Sequence, residues 1–558
     1  MGSGPMTRRR KGARSVSEPT SRPDPAYDAD GGGRTVIVLA AGLGTRMKST
    51  KPKMLHALLG RTLLGHVLAA AEPLAAQRTL VVVGAAADQV TAHLAEIAPA
   101  AEPVHQAEQR GTGHATRVAV EQAPAAHGTV VVLTGDVPLL RAETLTELVA
   151  AHERAGAAAT VLTAAPPDVT GLGRIVRDEH GAVVGIVEER DASPEQRRIR
   201  EINSGIIAFR ADALRATLAE LRSDNDQGEE YLTDTIGLLV KAGERVGAYV
   251  AADVTETMGV NDRAQLAALG ALLRDRVNGA WMRAGVTMVD PASVWLDVTV
   301  TLAPDVLLEP QVQLRGATSV AAGATVGPDT TLVDTEVGAG ASVVRAQATG
   351  AVIGPDCSVG PFAYLRPGSR LHAGAKVGTY VETKNAEIGA GSKVPHLSYV
   401  GDATIGEQTN IGAATVFVNY DGVHKHRSRI GSFARTGADN MFVAPVEVGD
   451  GAYTGAGAVI RRDVPPGALS YSAAPQRVVP DWTVGHRPDT PAAAAAIKAT
   501  ERDAVEDAAA AAGQTSPRPG LAVPGSTETG GTDGGSAGGA VDTGSTDGAG
   551  STGSAGEC

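Results

Sequence analysis

Two widely separated parts of this sequence place reactive residue types where chemistry is possible. The apolar run Thr35-Val-Ile-Val-Leu39 leads straight into Ala40-Ala-Gly-Leu-Gly-Thr-Arg-Met47. Glycines at the carboxyl end of a strand let the backbone turn sharply and bring its N–H groups against a phosphate or a base, where open α/β sheets hold ligands. The pattern is not the dinucleotide fingerprint, because Met47 stands where the third glycine belongs, and not a P-loop, because no Gly-Lys-Ser/Thr follows. Arg46 and Lys53 put two cations within one short excursion of that loop. Such a pair can neutralise a triphosphate and the charge moving onto a leaving pyrophosphate, although spacing alone suits a solvated basic loop equally well. Far downstream, His396 offers an imidazole, a side-chain type suited to taking a proton from an attacking amine at neutral pH. As one of 13 histidines, it reads more simply as a surface residue if nothing else is considered.

The elements that must carry these residues follow two rhythms. From Thr35 onward, strand-like runs (Thr35–Leu39, Thr79–Val83, Val130–Leu133, Ile202–Phe209) alternate with helical spacing such as Leu63, Leu64, Val67 and Leu68, as in a parallel α/β domain. Arg174 to Glu189 reads as a hairpin turning at His180-Gly181, and a helix from Asp262 to about Ala284 closes the block. Beyond it, Val320, Val326 and Leu332, then Ile353, Val359, Leu365, Leu371 and Val377, then Val394 and Val400, fall at a step of six. That period belongs to a parallel β-helix of stacked hexapeptides. It slips between Val377 and Ile388, around Glu382-Thr-Lys384-Asn, and again between Val400 and Ile405, and it gives way to the polar stretch Phe417 to Arg427. Breaks of this kind are where functional sites are expected. His396, two residues after the inward Val394 and four before the inward Val400 in the hexapeptide period, should face outward beside them.

Composition narrows the choices. The chain of 558 residues is too long for one core, and 68 glycines with only 3% aromatic residues favour thin, repetitive architecture. A net charge of −12 argues against a nucleic-acid partner. Two cysteines, Cys357 and Cys558, form no disulfide framework, and the basic run Arg8 to Lys11 is followed by Ser, Pro and Asp in place of an apolar stretch. No eighteen-residue apolar run spans a membrane, so a cytoplasmic protein is expected. Residues 1 to 33 and those from 486 onward are expected to be disordered, with a transient helix over Lys498 to Asp507 and low complexity beyond Gly513.

The glycine loop followed by Pro52-Lys53 resembles the sugar 1-phosphate nucleotidyltransferases. Gln106-Ala-Glu-Gln-Arg-Gly-Thr-Gly-His-Ala115, Thr134-Gly-Asp136-Val-Pro, Gly171-Leu-Gly-Arg174, Ile186-Val-Glu188, Glu201-Ile-Asn-Ser-Gly205 and Gly259-Val-Asn261 extend the likeness to the bacterial bifunctional acetylglucosamine 1-phosphate uridyltransferase family, GlmU. Leu365-Arg366-Pro-Gly-Ser369, Val381-Glu-Thr-Lys384, His396-Leu-Ser-Tyr399-Val-Gly-Asp402 and Asn419-Tyr420-Asp-Gly422 resemble its acetyltransferase half. The resemblance covers roughly residues 34 to 485. It implies a Rossmann-like α/β nucleotidyltransferase domain over 34–262, a linker helix over 263–284 and a left-handed parallel β-helix over 285–485, between tails at 1–33 and 486–558.

The resemblance also implies a bifunctional transferase that makes UDP-N-acetylglucosamine for the cell envelope from glucosamine 1-phosphate, acetyl-CoA and UTP. Leu39, Ala40, Ala41, Gly42, Lys53, Gln106, Gly111 and Thr112 would bind the nucleotide, and Gly173, Glu188 and Asn203 the sugar. Asp136 and Asn261 would hold Mg²⁺; a carboxylate ending a strand and an amide oxygen suit an ion that takes few protein ligands. Arg46 and Lys53 would stabilise charge in the transfer. Arg366, Lys384, Tyr399 and Asn410 would bind glucosamine 1-phosphate, and His396 would be the general base. Ala413, Asn419, Tyr420, Ala438 and Ala456 would meet acetyl-CoA in a homotrimer with sites between subunits. Two departures stand out. Ala438 replaces a usual serine, which implies weaker CoA affinity, and a basic residue is missing around Ser470 to Ala474, where Arg477 is a candidate substitute.

Two rival readings share the domain types. A nucleotidyltransferase with the β-helix as an oligomerising or allosteric domain should have a short, unbroken helix without His396, Lys384 or the Asn419 loop. A non-catalytic scaffold or regulatory subunit should lack Arg46, Lys53 or Asp136. This chain keeps all of them.

Overall fold

The apolar runs read as strands pair with one another in the middle of a single twisted sheet. In the computed structural model, which describes residues 33–84, 86–225, 227–472 and 476–512, its strands lie in the order Val246–Val250, Ala159–Ala164, Ile202–Arg210, Thr129–Thr134, Arg34–Leu39, Arg78–Val83 and Glu102–His105. The tail readings over 1–32 and 513–558 lie outside the described residues. Arg34–Leu39 is parallel to both neighbours, with Leu39 opposite Val82 on one side and Thr134 on the other. Ile202–Arg210 is antiparallel and carries the hairpin Arg174–Arg177/Val183–Val187 at its start. Alternation across the pleat splits one strand between two cores: Val36 and Val38 pack with Leu64, Val67 and Leu148, while Ile37 packs with Ala119, Leu214 and Ile236.

The helix Arg263–Arg283 starts where the Asp262 carboxylate accepts from Gln265 N at 2.8 Å. Leu269 and Leu273 bury against Met47, Leu58, Leu63 and Val260 of the α/β domain. At the other end the buried Asn278 amide donates to the carbonyls of Pro291 and Val294, 2.8 and 2.9 Å away. The hairpin loop Leu59 meets the first coil directly, Val298 N donating to Leu59 O at 3.0 Å.

From Thr287 the chain winds into a parallel β-helix whose strands stack coil upon coil. Every inward position read from the six-residue period is buried: Val320, Val326, Leu332, Ile353, Val359, Leu365, Leu371, Val377, Val394 and Val400 are all at most 2% exposed. Across the first slip the period survives one step further than the apolar pattern shows. Thr383 is fully buried beneath Leu365, its hydroxyl paired with Ser369 Oγ at 2.8 Å. The residue is lost only at Asn385, whose φ is 45°. The second slip has Asp402 at φ 47°. After Ile405 the next partner on that face is Ile430, so the stretch between accommodates an inserted loop, closed by pairing of Tyr420 with Lys425. Residues 476–512 belong to a separate unit, with helices Trp482–His486 and Pro491–Ala511. The second outruns the Lys498–Asp507 reading because Thr490 caps it, accepting from Ala493 N at 3.3 Å, and Pro491 starts it.

Candidate active sites

Because Leu39 and Thr134 are opposite one another on parallel strands, the loops that follow them emerge side by side. Gly135 N donates to Leu39 O at 3.0 Å, placing Asp136 beside the glycine loop, and Val260 N donates to Asp136 O at 2.9 Å, bringing in Asn261. Lys53 arrives from the single turn Lys53–Leu55. Four segments thus converge. Lys53 Nζ donates to Asp136 Oδ2 at 2.5 Å and to Asn261 Oδ1 at 3.3 Å, and Arg46 Nη2 donates to the same Asn261 oxygen at 2.8 Å. Gly44 lets this happen: at φ 60° its missing Cβ would sit 2.5 Å from Lys53 Cβ.

These residues line a cavity of about 450 Å³ together with Leu39, Ala41, Gly42, Gln106, Gly111 and Thr112. Ala40 turns its side chain into the core, and its N–H is spent on Val82 O at 2.9 Å. Gln106 is buried, its amide donating to Gly111 O at 3.4 Å and lying 3.0 Å from His114 Nδ1. Gly111, at φ 104°, comes so close to Glu230 that a Cβ would meet its carbonyl at 2.5 Å. Gly173, Glu188 and Asn203 also meet: Asn203 N donates to Gly173 O at 2.9 Å, and a Cβ on Gly173 would lie 3.2 Å from Glu188 Oε1. Burial raises the Glu188 pKa above the usual carboxylate value, while the Thr233 hydroxyl, donating to it at 3.1 Å, works against that rise.

A carboxylate and an amide oxygen that share one cationic neighbour are a fitting donor pair for a hard divalent ion, and the Lys53 ammonium already spans them. Among the described residues no cluster of three or more His, Cys, Asp or Glu could hold a metal, so further ligands would come from substrate or water.

In the β-helix the candidate residues separate onto two edges. At one edge, Asp402 is a hub that the sequence reading quoted but gave no role. Asn385 Nδ2 donates to its Oδ1 at 2.7 Å, Asn419 Nδ2 to its Oδ2 at 2.5 Å, and Lys384 Nζ stands 3.6 Å from Oδ2. Burial pushes the Asp402 carboxyl up, but the bonds from Asn385 and Asn419 and the Lys384 charge hold its pKa below the ordinary value. Asn419 also reaches the Tyr399 hydroxyl at 3.4 Å, and Arg366 Nη1 pairs with Glu382 at 2.9 Å. Lys425 from the inserted loop lies close enough to Lys384 for its pKa to fall below the usual lysine value. Arg427 pins that loop through Thr404 Oγ1 and Ala403 O, at 2.8 and 3.0 Å.

At the other edge stands His396, exposed as its outward register requires, with Thr379 opposite it on the coil before and Ala414 N donating to its carbonyl at 3.2 Å. Ala413, Ala438 and Ala456 follow on successive coils of this edge; Asp439 N donates to Ala413 O at 2.7 Å and Gly457 N to Ala438 O at 2.9 Å. Asn410 bridges Lys393 and Arg435 on the adjoining face. Tyr420 is 55% exposed, its hydroxyl turned onto Gly422 O at 2.6 Å.

Comparison with known proteins covers both halves. Residues 36–232 match the MobA-like NTP transferase domain. A bifunctional protein GlmU of Streptomyces avermitilis is 59% identical over 474 residues, 85% of this chain and 98% of that protein. Those of Thermobifida fusca and Mycolicibacterium vanbaalenii are 60% and 54% identical, over 84% and 82% of this chain and 97% and 94% of their own lengths. No described helix is long and apolar enough to cross a membrane. With identity above half sustained through both the α/β sheet and the β-helix, the chain belongs to the bifunctional GlmU family.

Proposed function

We propose that the chain makes UDP-N-acetylglucosamine in two transfers, using the division into a nucleotidyl domain at 34–262, a linker at 263–284 and an acetyl domain at 285–485. The observation that carries the nucleotidyl half is the convergence of Arg46, Lys53, Asp136 and Asn261 at the carboxyl edge of two parallel strands. UTP would lie over Leu39 to Gly42 with its base against Gln106, Gly111 and Thr112. N-acetylglucosamine 1-phosphate would lie against Gly173, Glu188 and Asn203. Its phosphate oxygen attacks the α-phosphorus in line and pyrophosphate leaves. Asp136 and Asn261 would hold Mg²⁺, which when bound supplies a Lewis acid for phosphate oxygens. Arg46 and Lys53 then stabilise charge on the transferred and leaving phosphates.

In the acetyl half, Arg366 and Lys384 take the phosphate of glucosamine 1-phosphate, with Tyr399 and Asn410 lining its pocket. Asp402 orients Lys384 and Asn419. The amine attacks the acetyl-CoA thioester, His396 takes the amine proton, and the CoA thiolate leaves. Asn419 and Tyr420 position the reacting groups while Ala413, Ala438 and Ala456 line the path of CoA. Since His396 and the phosphate-binding residues occupy different edges of one chain, a homotrimer would bring one subunit's His396 to a neighbour's Asp402 cluster. The strip of Phe362, Tyr380 and Leu397, each at least 50% exposed and leading to His396, suits that contact. Its substrates, UTP and acetyl-CoA, fit a cytoplasmic enzyme.

The test is one reaction of purified protein with glucosamine 1-phosphate, acetyl-CoA, UTP and Mg²⁺, followed by mass spectrometry. UDP-N-acetylglucosamine, CoA and pyrophosphate are expected, and leaving out acetyl-CoA should abolish the sugar nucleotide. Product formed only from supplied N-acetylglucosamine 1-phosphate would leave a nucleotidyltransferase alone.

A further inference from the structure

Arg46 depends on a turn with little support of its own. Thr45–Met47 is one helical turn between Gly44 and Lys48, at φ 60° and 47°, closed by Met47 N donating to Gly44 O at 2.9 Å and Lys48 N to Thr45 O at 3.1 Å. The Met47 carbonyl is taken from outside: Arg263 Nε donates to it at 3.0 Å. Arg263 is the first residue of the linker helix and stands two residues from Asn261, whose amide oxygen receives Arg46 at 2.8 Å. Asn261 is itself fixed, its N–H donating to Gln265 Oε1 at 2.7 Å while Asp262 caps Gln265 N at 2.8 Å. Two short backbone stretches and two hydrogen bonds therefore form a closed ring through Arg263, Met47, Arg46 and Asn261. The Met47 side chain, 1% exposed, is clamped in the same cluster as Leu269 and Leu273 of that helix.

We propose that Arg263 is a positioning residue for uridylyl transfer: through the Met47 carbonyl it holds the Arg46 guanidinium where charge builds during the reaction. It touches neither nucleotide nor sugar in this reading, which rests on the nucleotidyltransferase assignment above. A guanidinium that stabilises developing charge loses most of its effect when displaced by about an ångström. The cost therefore falls on turnover more than on binding of the sugar phosphate, whose residues lie on the Arg174–Arg177/Val183–Val187 hairpin and its neighbours.

Arg263→Met keeps an apolar stem without the donor, and Arg263→Lys restores a donor of different shape. Both are assayed for uridylyl transfer from preformed N-acetylglucosamine 1-phosphate, for acetyl transfer, and for melting temperature. For Arg263→Met, kcat for uridylyl transfer should drop by about tenfold or more, with KM for the sugar phosphate within about twofold and acetyl transfer unchanged. Arg263→Lys should recover part of the lost kcat. Turnover of Arg263→Met within about twofold of wild type would overturn the proposal, as would a lysine variant no better than the methionine one. Joint loss of both activities with a fall in melting temperature would assign Arg263 to the fold and overturn it too. Wild-type protein lacking uridylyl transfer would overturn both this proposal and the assignment beneath it.

Discussion

The α/β domain gathers Arg46, Lys53, Asp136 and Asn261 from four distant segments into one cavity, whereas the β-helix lays its candidate residues along the coils of an open wall. In the first, Arg46 and Asn261 are 215 positions apart and hydrogen-bonded. In the second, Lys384, Asp402 and Asn419 follow at near-regular coil intervals and meet because coils stack. A sheet with helices on both faces folds a site inward. A solenoid, its interior filled by the stacked apolar residues, presents its polar residues outward along the coils. The two sites should therefore fail independently and in different ways.

Asp136→Asn gives the largest expected separation. Losing the carboxylate charge that accepts from Lys53, the same ammonium that donates to Asn261, should lower uridylyl transfer on the order of 10³-fold or more and leave acetyl transfer intact. Equal loss of both activities in folded protein would collapse the comparison into one shared site. His396→Ala is the mirror image. It should cost acetyl transfer on the order of 10²- to 10⁴-fold and spare uridylyl transfer. A mutant with near wild-type acetyl transfer would leave the His396 edge without a proton acceptor and move that role to water or Asn419.

The two halves also differed in what their sequence disclosed. The β-helix was legible because each of its inward residues repeats a single environment, so period alone identifies Val359 or Leu371 as buried. It was illegible at Thr383, where a paired hydroxyl fills an inward place and imitates a break in the apolar pattern. Asp402 escaped for a related reason: its role lies in partners two coils apart, and only the five-residue step around it hinted at a special corner. In the α/β domain the glycine loop and strand runs were readable, since turn geometry and apolar continuity are local. The placement of Gln109, whose amide donates to Ala41 O at 2.6 Å, depends on how the sheet brings separate loops together. The Leu59–Val298 contact between the domains left no sequence signal at all.

Acid should sharpen the contrast at a smaller scale. Burial lowers the pKa of His66 to about 4, against the pull of the Leu58 carbonyl, and burial likewise lowers His152 to about 4, against Glu153. Both belong to the α/β domain. Unfolded, they take up protons below about 6.5; folded, they refuse them until about 4, so their contribution is whole above 6.5 and lost as pH falls toward 4. At about 1.4 kcal/mol per unit, this is on the order of 3 kcal/mol for each histidine. Glu188 and Asp234, whose pKa values are raised chiefly by burial, act in the opposite sense at the acid end. The comparison is therefore made between wild type and a His66→Gln, His152→Gln variant. Hydrogen exchange at pH 7 and pH 5 should show the α/β domain losing protection in wild type and losing less in the variant. The β-helix, where His372, His396 and His424 stand exposed, should change little in either. Equal loss in the two domains would mean that they unfold as one.

The smallest effect tests whether the open edge is a substrate path at all. Ala438 is exposed on the coil between Ala413 and Ala456, and its carbonyl is already used by Gly457 N and by Asn440 Nδ2, at 2.9 and 3.3 Å. With that carbonyl occupied, a side-chain hydroxyl at this position would add a polar contact facing the open edge. Ala438→Ser supplies the hydroxyl that the family resemblance leads one to expect, without disturbing the stacked glycines beside it. One neutral hydrogen bond is worth about 0.5–1.5 kcal/mol, so KM for acetyl-CoA should fall by about two- to tenfold. Turnover at saturating acetyl-CoA should stay near wild type, because the contact is made equally in ground and transition states. The KM for UTP, bound in the other domain, should not move. If KM for acetyl-CoA also stayed fixed, CoA would not pass along Ala413, Ala438 and Ala456. The wall beside His396 would then be a subunit contact, and acetyl-CoA would have to approach from the Asp402 edge.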